Sequence, residues 1–161
     1  MQKNYFIEVK PIFDKKIRLM CQFPYPGHKK GCPNFNKRSD CPPKSSLIHK
    51  IINLDKKVYA IYNIFDLAAH VNRMKKKHSN WSQRQLYCCL YWQPKARKAL
   101  KEKISLFLRQ FPDLYIVKNP EAQGVNVTQT MFDAGVILEW PPRKMAYQIV
   151  LAGNYIGPKL G

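Results

Sequence analysis

The segment KVYAIYNIF at residues 57–65 is the centre of the predicted fold. Its β-branched and aromatic residues favour a strand that is buried in a sheet. Asp66 follows at once and is a suitable N-cap for a helix that runs to about Lys77. A buried strand that leads directly into a helix indicates a sheet with helices packed against it.

Further strands are expected on both sides of this segment, where short runs of β-branched and aromatic residues occur. They are residues 5–9, 114–117, 136–138 and 147–151. Helices are expected between them. Ser45 or Ser46 is a suitable cap for a short helix that reaches Ile52, and Ser82 for a helix that ends near Trp92.

Two later helices are marked by a proline and a glycine. Pro94 suits the first position of a helix that extends to Phe111. Gly135 suits the left-handed position that follows a helix at residues 127–134. The helix that begins at Pro94 carries one apolar stripe, which consists of Ala96, Leu100, Ile104, Leu108 and Phe111.

Together these segments predict a mixed α/β fold of the α+β type, in which a small sheet is packed by helices. The length of 161 residues fits a single domain that spans residues 1–161. A Cys- and Pro-rich loop at residues 21–46 is inserted near the N-terminus of this domain.

The loop at residues 21–46 contains five Pro, two Gly and three Cys, a composition that excludes a regular helix or central strand. It has few large aliphatic residues, so something other than a hydrophobic core must hold it in place. A metal would do so, because the free energy of metal–thiolate binding becomes folding free energy. The predicted metal ligands are Cys21, Cys32 and Cys41, with Cys88 or Cys89 as the fourth.

Cys88 and Cys89 are adjacent on the predicted helix that ends near Trp92. Adjacent helical residues point about 100° apart. At most one of the two is therefore expected to ligate the same centre, and the other is expected to pack in the core as a free thiol. The alternative for the loop is three unligated cysteines at the surface.

The spacing of the loop cysteines favours an iron–sulfur cluster, expected to be 4Fe-4S, over zinc. Structural zinc sites usually contain close Cys pairs, and none occurs here. Cys32-Pro33 and Cys41-Pro42 are similar to the Cys-Pro dipeptide that closes a bacterial ferredoxin motif. Zinc is the alternative, with His28 or His49 as a fourth ligand. Three cysteines without a fourth protein ligand would leave one iron open to a substrate atom.

The formal net charge of the chain is +18, and all of it lies in residues 1–118. That part contains 25 basic and 7 acidic residues, whereas residues 119–161 contain three of each. Such a charge attracts polyanions through counterion release, which predicts RNA or DNA as a partner. A generally basic, solvated surface is the alternative. The candidate nucleic-acid-binding residues are Lys29, Lys30, Lys37, Arg38, Lys75, Lys76, Lys77, Arg84, Lys95, Arg97 and Lys98.

Aromatic residues alternate with basic ones in WSQRQLY at residues 81–87 and in YWQPKAR at residues 91–97. This pattern suits single-stranded nucleic acid, and core packing explains the rings equally well. Glu121 and Glu139 are rare acids in a basic chain. Each is a candidate general acid or base, with a salt bridge to a surface lysine as the alternative.

Two segments resemble those of one protein family. They are GCPNFNKRSDCPP at residues 31–43 and PEAQGVNVTQT at residues 120–130. They are similar to the Cys-Pro-Pro knuckle and the late Glu-Ala-x-Gly segment of a family of uncharacterised, predicted metal-binding proteins. The resemblance implies a metal or iron–sulfur centre held by Cys21, Cys32 and Cys41. The family's close Cys-x-x-Cys pair and its second cysteine cluster are missing here, so one cluster is expected.

The leading hypothesis is a metal-binding protein that carries one iron–sulfur cluster and acts on or beside nucleic acid. If the protein is an enzyme, RNA modification or sulfur handling would suit an open iron. The alternatives are a zinc-stapled nucleic-acid-binding module without catalysis, and an electron-transfer accessory protein that docks on an acidic partner. No apolar run approaches the roughly 18 residues of a membrane-spanning helix, and no secretory signal is recognisable, so a cytoplasmic location without membrane association is expected.

Overall fold

The structure is a computed structural model that describes residues 4–24 and 28–158. These residues form a four-stranded sheet in which every neighbouring pair is antiparallel. The strands are β1 (Phe6–Val9), β2 (Val58–Asp66), β3 (Tyr115–Val117) and β4 (Met145–Gly153). They lie in the order β1-β2-β4-β3, so the two long strands form the centre of the sheet. The predicted mixed α/β fold is therefore confirmed.

Strand β3 is short and covers only one end of its neighbour. It pairs with β4 at Leu151, Ala152 and Gly153. Within the part of the chain that the structure describes, residues 145–150 of β4 have no strand partner on that side, although β2 pairs with them on the other. This half of the β4 edge borders the cleft described below.

Four α-helices occur among the described residues: α1 (Leu67–Lys77), α2 (Gln83–Leu86), α3 (Gln93–Gln110) and α4 (Val127–Asp133). The caps predicted at Asp66 and Ser82 are confirmed. The cap predicted at Ser45 or Ser46 is wrong, because Leu47 precedes the turn Ile48–Lys50 and forms no side-chain capping bond. The Asp66 carboxylate accepts a hydrogen bond of 2.9 Å from the Ala69 amide, and Ser82 forms a capping box with Gln85. Gly135 follows α4 with φ +90°, a backbone conformation that favours glycine.

Alternating side chains of β2 enter the core on both faces of the sheet. Ile61 faces α3, where it packs with Phe107 and Leu100. Val58 and Ala60 face the opposite layer, which includes Met131 of α4 and two residues at the short helix predicted after Ser46, Ile48 and Ile52. That helix is a single 3-10 turn, Ile48–Lys50.

The predicted loop begins inside a helical segment. Cys21 lies near the end of a 3-10 helix, Lys15–Gln22, whereas residues 29–47 contain no helix or strand. Residues 25–27 of the loop, and both ends of the predicted domain, lie outside the described residues. No helix among the described residues combines the length and apolar character needed to cross a membrane.

The prediction of a strand at residues 136–138 is wrong. These residues form no strand, and Gly135 turns the chain just before them. Val136 and Leu138 pack against the core from an irregular segment, whereas Ile137 is 74% exposed. The apolar run that predicted a strand here sends two of its side chains to the core without pairing to the sheet, so the run alone was misleading.

The prediction of one helix from Ser82 to Trp92 is also wrong. Helix α2 ends at Leu86, and a separate 3-10 turn, Cys89–Tyr91, precedes α3. Leu86 and Trp92 are buried in the same cluster. Six residues apart on a straight helix, they would point about 120° away from each other. The break lets both side chains reach one core, and it removes Cys88 from any helix.

The predicted apolar stripe of α3 is confirmed at Ala96 and Leu100, which are buried. Ile104, Leu108 and Phe111 are only partly buried against the cluster. The most buried residue of the helix is Phe107, which the predicted stripe omitted. The helix therefore presents a slightly different face to the sheet than the one predicted.

Candidate metal centre and adjoining cleft

The backbone joins Cys21 and Cys32 directly. The Cys32 amide donates a hydrogen bond of 2.6 Å to the Cys21 carbonyl oxygen. Gly31 permits this approach, because it has φ +83° and a Cβ atom there would lie 2.6 Å from the carbonyl carbon of Gln22. The two cysteines, separated by ten residues in the sequence, are therefore neighbours at the start of the loop.

Further hydrogen bonds attach the loop to the body of the protein. The Arg18 guanidinium donates to the carbonyl oxygens of Pro43 and Ser45, at 2.8 and 2.7 Å. The buried Ser45 hydroxyl donates a hydrogen bond of 2.8 Å to the carbonyl oxygen of Ala122. Ala122 belongs to the 3-10 turn Glu121–Gln123, so this bond links the end of the loop to the segment that contains Glu121.

The three loop cysteines lie close enough to affect one another electrostatically. Burial raises the pKa of the Cys21 thiol, and Cys32, Cys41 and Glu121 raise it further. Desolvation likewise raises the pKa of Cys41, with contributions from Asp40 and Cys32. Both thiols are therefore protonated at neutral pH, and a metal that binds them must displace these protons.

Glu121 is the acid that the structure brings to these cysteines. Desolvation raises the pKa of its carboxyl group, although part of its surface opens into a cleft. The neighbouring Gly124 has φ +91°, and a Cβ atom there would lie 2.6 Å from Cε2 of Phe13, so the turn is packed against that ring. The sequence marked Glu121 as an acid–base candidate but gave no sign that it lies beside Cys21.

A cleft of about 580 Å³ opens beside Cys21 and Cys41. Its size is in the range of small-molecule binding sites. Loop residues form one wall, the first turns of α3 and residues 118–122 form others, and the unpaired half of β4 lies at the bottom. Its charged lining residues are Arg38, Asp40, Arg97, Lys118, Glu121 and Glu139.

Two of these acids, Glu139 and Asp40, accept hydrogen bonds from neighbouring groups of the protein. The Glu139 carboxylate accepts hydrogen bonds of 3.0 and 3.2 Å from the amides of Arg143 and Lys144. Asp40 accepts a hydrogen bond of 3.5 Å from the Asn119 side chain. The cleft also contains aromatic surface from Trp140 and Tyr147. It therefore combines cations, acids and aromatic rings beside two thiols.

The structure does not bring Cys88 and Cys89 to this place. They lie between α2 and α3, where Cys88 is half-buried and Cys89 is exposed. Neither belongs to the described residues that line the cleft or act on the Cys21 thiol. His49, an alternative zinc ligand, packs edge-on against the Phe13 ring at 5.4 Å.

The described residues contain no group of three or more His, Cys, Asp or Glu side chains arranged to hold a metal ion. Cys21, Cys32 and Cys41 are near one another but do not form a finished coordination site. Their donor chemistry nevertheless fits a soft metal or an iron–sulfur cluster, because thiolates are the ligands that these groups prefer.

The predicted nucleic-acid-binding residues lie on two parts of the surface, and all are exposed. One part is the loop, with Lys29, Lys30, Lys37 and Arg38. The other comprises α1, α2 and the start of α3. The two parts meet at the cleft, because Arg38 from the loop and Arg97 from α3 both line it. No family model, no curated protein and no solved structure matches this chain.

Proposed function

We propose that this chain is a metal–thiolate protein whose centre opens onto a cleft and acts on or beside nucleic acid. One observation carries the proposal: Cys21 and Cys41 line the wall of a cleft, and Cys32 lies within electrostatic reach of both. An iron–sulfur cluster is the expected occupant, and zinc is the alternative. The three thiolates would hold the group, and binding would draw them closer together.

An open iron in such a cluster would supply Lewis-acid chemistry, because it can bind and polarise a substrate atom. The chain's own residues suit an anionic substrate beside it. Arg38, Arg97 and Lys118 attract negative charge into the cleft. Desolvation raises the pKa of the Glu121 carboxyl group, which makes this group a candidate general acid near Cys21.

The metal part of the proposal is tested by the metal and sulfide content of protein purified without oxygen. We expect iron and sulfide together with broad absorbance in the visible range, and Cys41→Ser should lose most of both. Cys89→Ser is the matched control and should retain the metal, because Cys89 is exposed and lies away from the cleft.

If the protein is colourless and contains one zinc per chain, the metal is zinc and not a cluster, and the thiolate site itself is still supported. Equal metal content in Cys41→Ser and the unaltered protein would overturn the site. The nucleic-acid part is tested separately, by binding to RNA. Binding that does not weaken as salt is added would exclude the cations as its cause.

A further inference from the structure

The most basic part of the protein is one continuous segment, residues 67–101, which we call the basic lobe. It contains no Asp or Glu. It forms α1, α2, the 3-10 turn Cys89–Tyr91 and the first turns of α3. Its nine cationic residues are Arg73, Lys75, Lys76, Lys77, Arg84, Lys95, Arg97, Lys98 and Lys101.

The elements of the basic lobe are packed together rather than spread over the surface. Leu67 and Val71 of α1, Leu86 of α2, and Trp92 and Ala96 at the start of α3 share one hydrophobic cluster. The cations of α1 and α3 also act on the same group: Arg73 and Lys95 both lower the pKa of His70. The lobe therefore presents one concentrated positive field to a partner.

Three aromatic rings form a stack on this lobe. The His78 and Trp81 rings are parallel within 5°, with centroids 4.1 Å apart. The Tyr91 ring follows at 4.7 Å from Trp81, tilted by 36°. His78 directly follows Lys75, Lys76 and Lys77 at the end of α1, so the stack begins beside three exposed cations.

The outer end of the stack is open to solvent. Tyr91 is 54% exposed and its neighbour Leu90 is 77% exposed. Both lie on the turn created by the break between α2 and α3, which directs them outward while Trp92 fills the core. The sequence did not decide whether the Tyr91 and Trp92 rings pack in the core or bind a partner. In the structure Trp92 is buried in the core, whereas Tyr91 is accessible.

A stack that ends in the exposed Tyr91 ring, on a lobe rich in cations, matches the chemistry of an unpaired nucleic-acid strand. A base has an aromatic face that stacks on a protein ring, and its phosphate pairs with Lys or Arg. A duplex hides those faces inside its own stack, and an acidic protein does not carry a flat aromatic face beside each of its anionic groups. The arrangement therefore favours a single strand.

We propose that His78, Trp81 and Tyr91, with the surrounding cations of the basic lobe, bind single-stranded nucleic acid by base stacking. This inference rests on the proposed function, and it assigns the nucleic-acid contact to a surface and a strand type. The phosphates run along Lys75, Lys76, Lys77 and Arg84, and a base extends the stack beyond Tyr91.

The test measures binding of labelled oligouridylate, oligothymidylate, a duplex of equal length and polyglutamate to the full chain by fluorescence anisotropy. We expect both single strands to bind more tightly than the duplex. Tyr91→Ala should weaken single-strand binding about tenfold, because one base loses the ring on which it stacks. Tyr91→Phe keeps the ring and should bind as the unaltered protein does.

Phe132→Ala is the matched control for Tyr91→Ala, because Phe132 is 56% exposed on α4, outside the lobe and the cleft. It should leave affinity unchanged. Lys75, Lys76 and Lys77 are also replaced together by Gln. The slope of log affinity against log salt concentration should then become less steep by about 2, because three phosphate contacts are lost. The same change at the exposed Lys10, Lys56 and Lys57 should alter it much less.

Equal binding by Tyr91→Ala and the unaltered protein would overturn the stacking site. So would equal affinity for the duplex or for polyglutamate, since charge alone would then explain binding. Absence of all nucleic-acid binding would overturn the nucleic-acid part of the proposed function as well. The metal content is measured independently, so failure of the thiolate centre is distinguishable from each of these results.

Discussion

Burial and two nearby cations act in the same direction on the imidazole of His70. The residue is 4% exposed, and its Nε2 atom has no hydrogen-bond partner among the described residues. Burial is the main reason that its pKa lies below the ordinary 6.5, and the charges of Arg73 and Lys95 lower it further. The neutral imidazole is therefore the form that this core accepts.

This shift predicts that acidification destabilises the protein through His70. Above pH 6.5 the imidazole is neutral in both the folded and the unfolded chain, and the site has no effect. Below pH 6.5 the unfolded chain takes up the proton more readily, so the free energy of unfolding falls until the folded pKa is passed. Denaturant unfolding of the unaltered protein and of His70→Gln between pH 8 and pH 5 measures this effect.

The pH dependence should be weaker in His70→Gln. The exposed His49 provides the matched control, His49→Gln. The pKa of Glu121 is raised above 4.5, so from pH 4.5 upward this group lowers the free energy of unfolding as the pH rises, opposite to the effect of His70. The effect of His70 is therefore taken from the difference between variants and not from the curve of one protein. Equal changes in both variants would show that the buried position is not the cause.

Phe107 is the most deeply buried residue by which helix α3 contacts the sheet. Phe107 is completely buried, and its ring meets those of Phe6, Tyr59 and Phe111 at centroid distances of 5.2, 5.7 and 4.7 Å. The helix also carries Lys103, whose ammonium group donates a hydrogen bond of 2.7 Å to the buried Asn63 side chain of β2. The aromatic group therefore connects α3 to both β1 and β2.

Phe107→Ala is expected to lower the free energy of unfolding by about 3–5 kcal/mol, because it removes a buried ring and leaves a cavity. Leu106→Ala is the matched control, since the neighbouring Leu106 is 46% exposed. Leu106→Ala should lower the free energy of unfolding much less than Phe107→Ala does. Urea unfolding followed by circular dichroism measures both. A cost for Phe107→Ala no greater than that of the control would contradict this account of the packing.

The helices and long strands of this protein were predictable because their signals are local. Asp66 and Ser82 cap the helices that follow them, and β2 contains its own β-branched and aromatic pattern. The segment 136–138 and the break after Leu86 were not predictable in this way. Both depend on which side chains the rest of the molecule accepts into its core.

At the scale of the whole molecule, a well-packed sheet supports a loop that has little core of its own. Residues 29–47 contain no helix or strand, and much of their surface is exposed. The hydrogen bonds of Arg18 and Ser45 attach one end of the loop, and the Cys21–Cys32 backbone bond attaches the other. A metal held by the proposed thiolate site would add a third attachment.

This organisation predicts that loss of the metal loosens the loop and leaves the sheet intact. In Cys41→Ser, or after chelation, amides in residues 29–47 should exchange hydrogen faster, because metal binding contributes to folding of the loop. Amides of β2 and β4 should keep their protection. Hydrogen-exchange mass spectrometry measures both, with Cys89→Ser as the control. Equal loss of protection in the loop and the sheet, or no change in either, would contradict the prediction.

The amino-acid sequence was enough to predict the mixed α/β fold, the caps at Asp66 and Ser82, the three clustered loop cysteines as candidates and the concentration of charge. These features depend on residues that are near one another in the chain. The strand order β1-β2-β4-β3 and the position of Glu121 beside Cys21 depend on contacts between distant segments. The stack of His78, Trp81 and Tyr91 depends on the break between α2 and α3, which lets Trp92 enter the core. Packing of the complete core selects those contacts, so no local pattern reveals them.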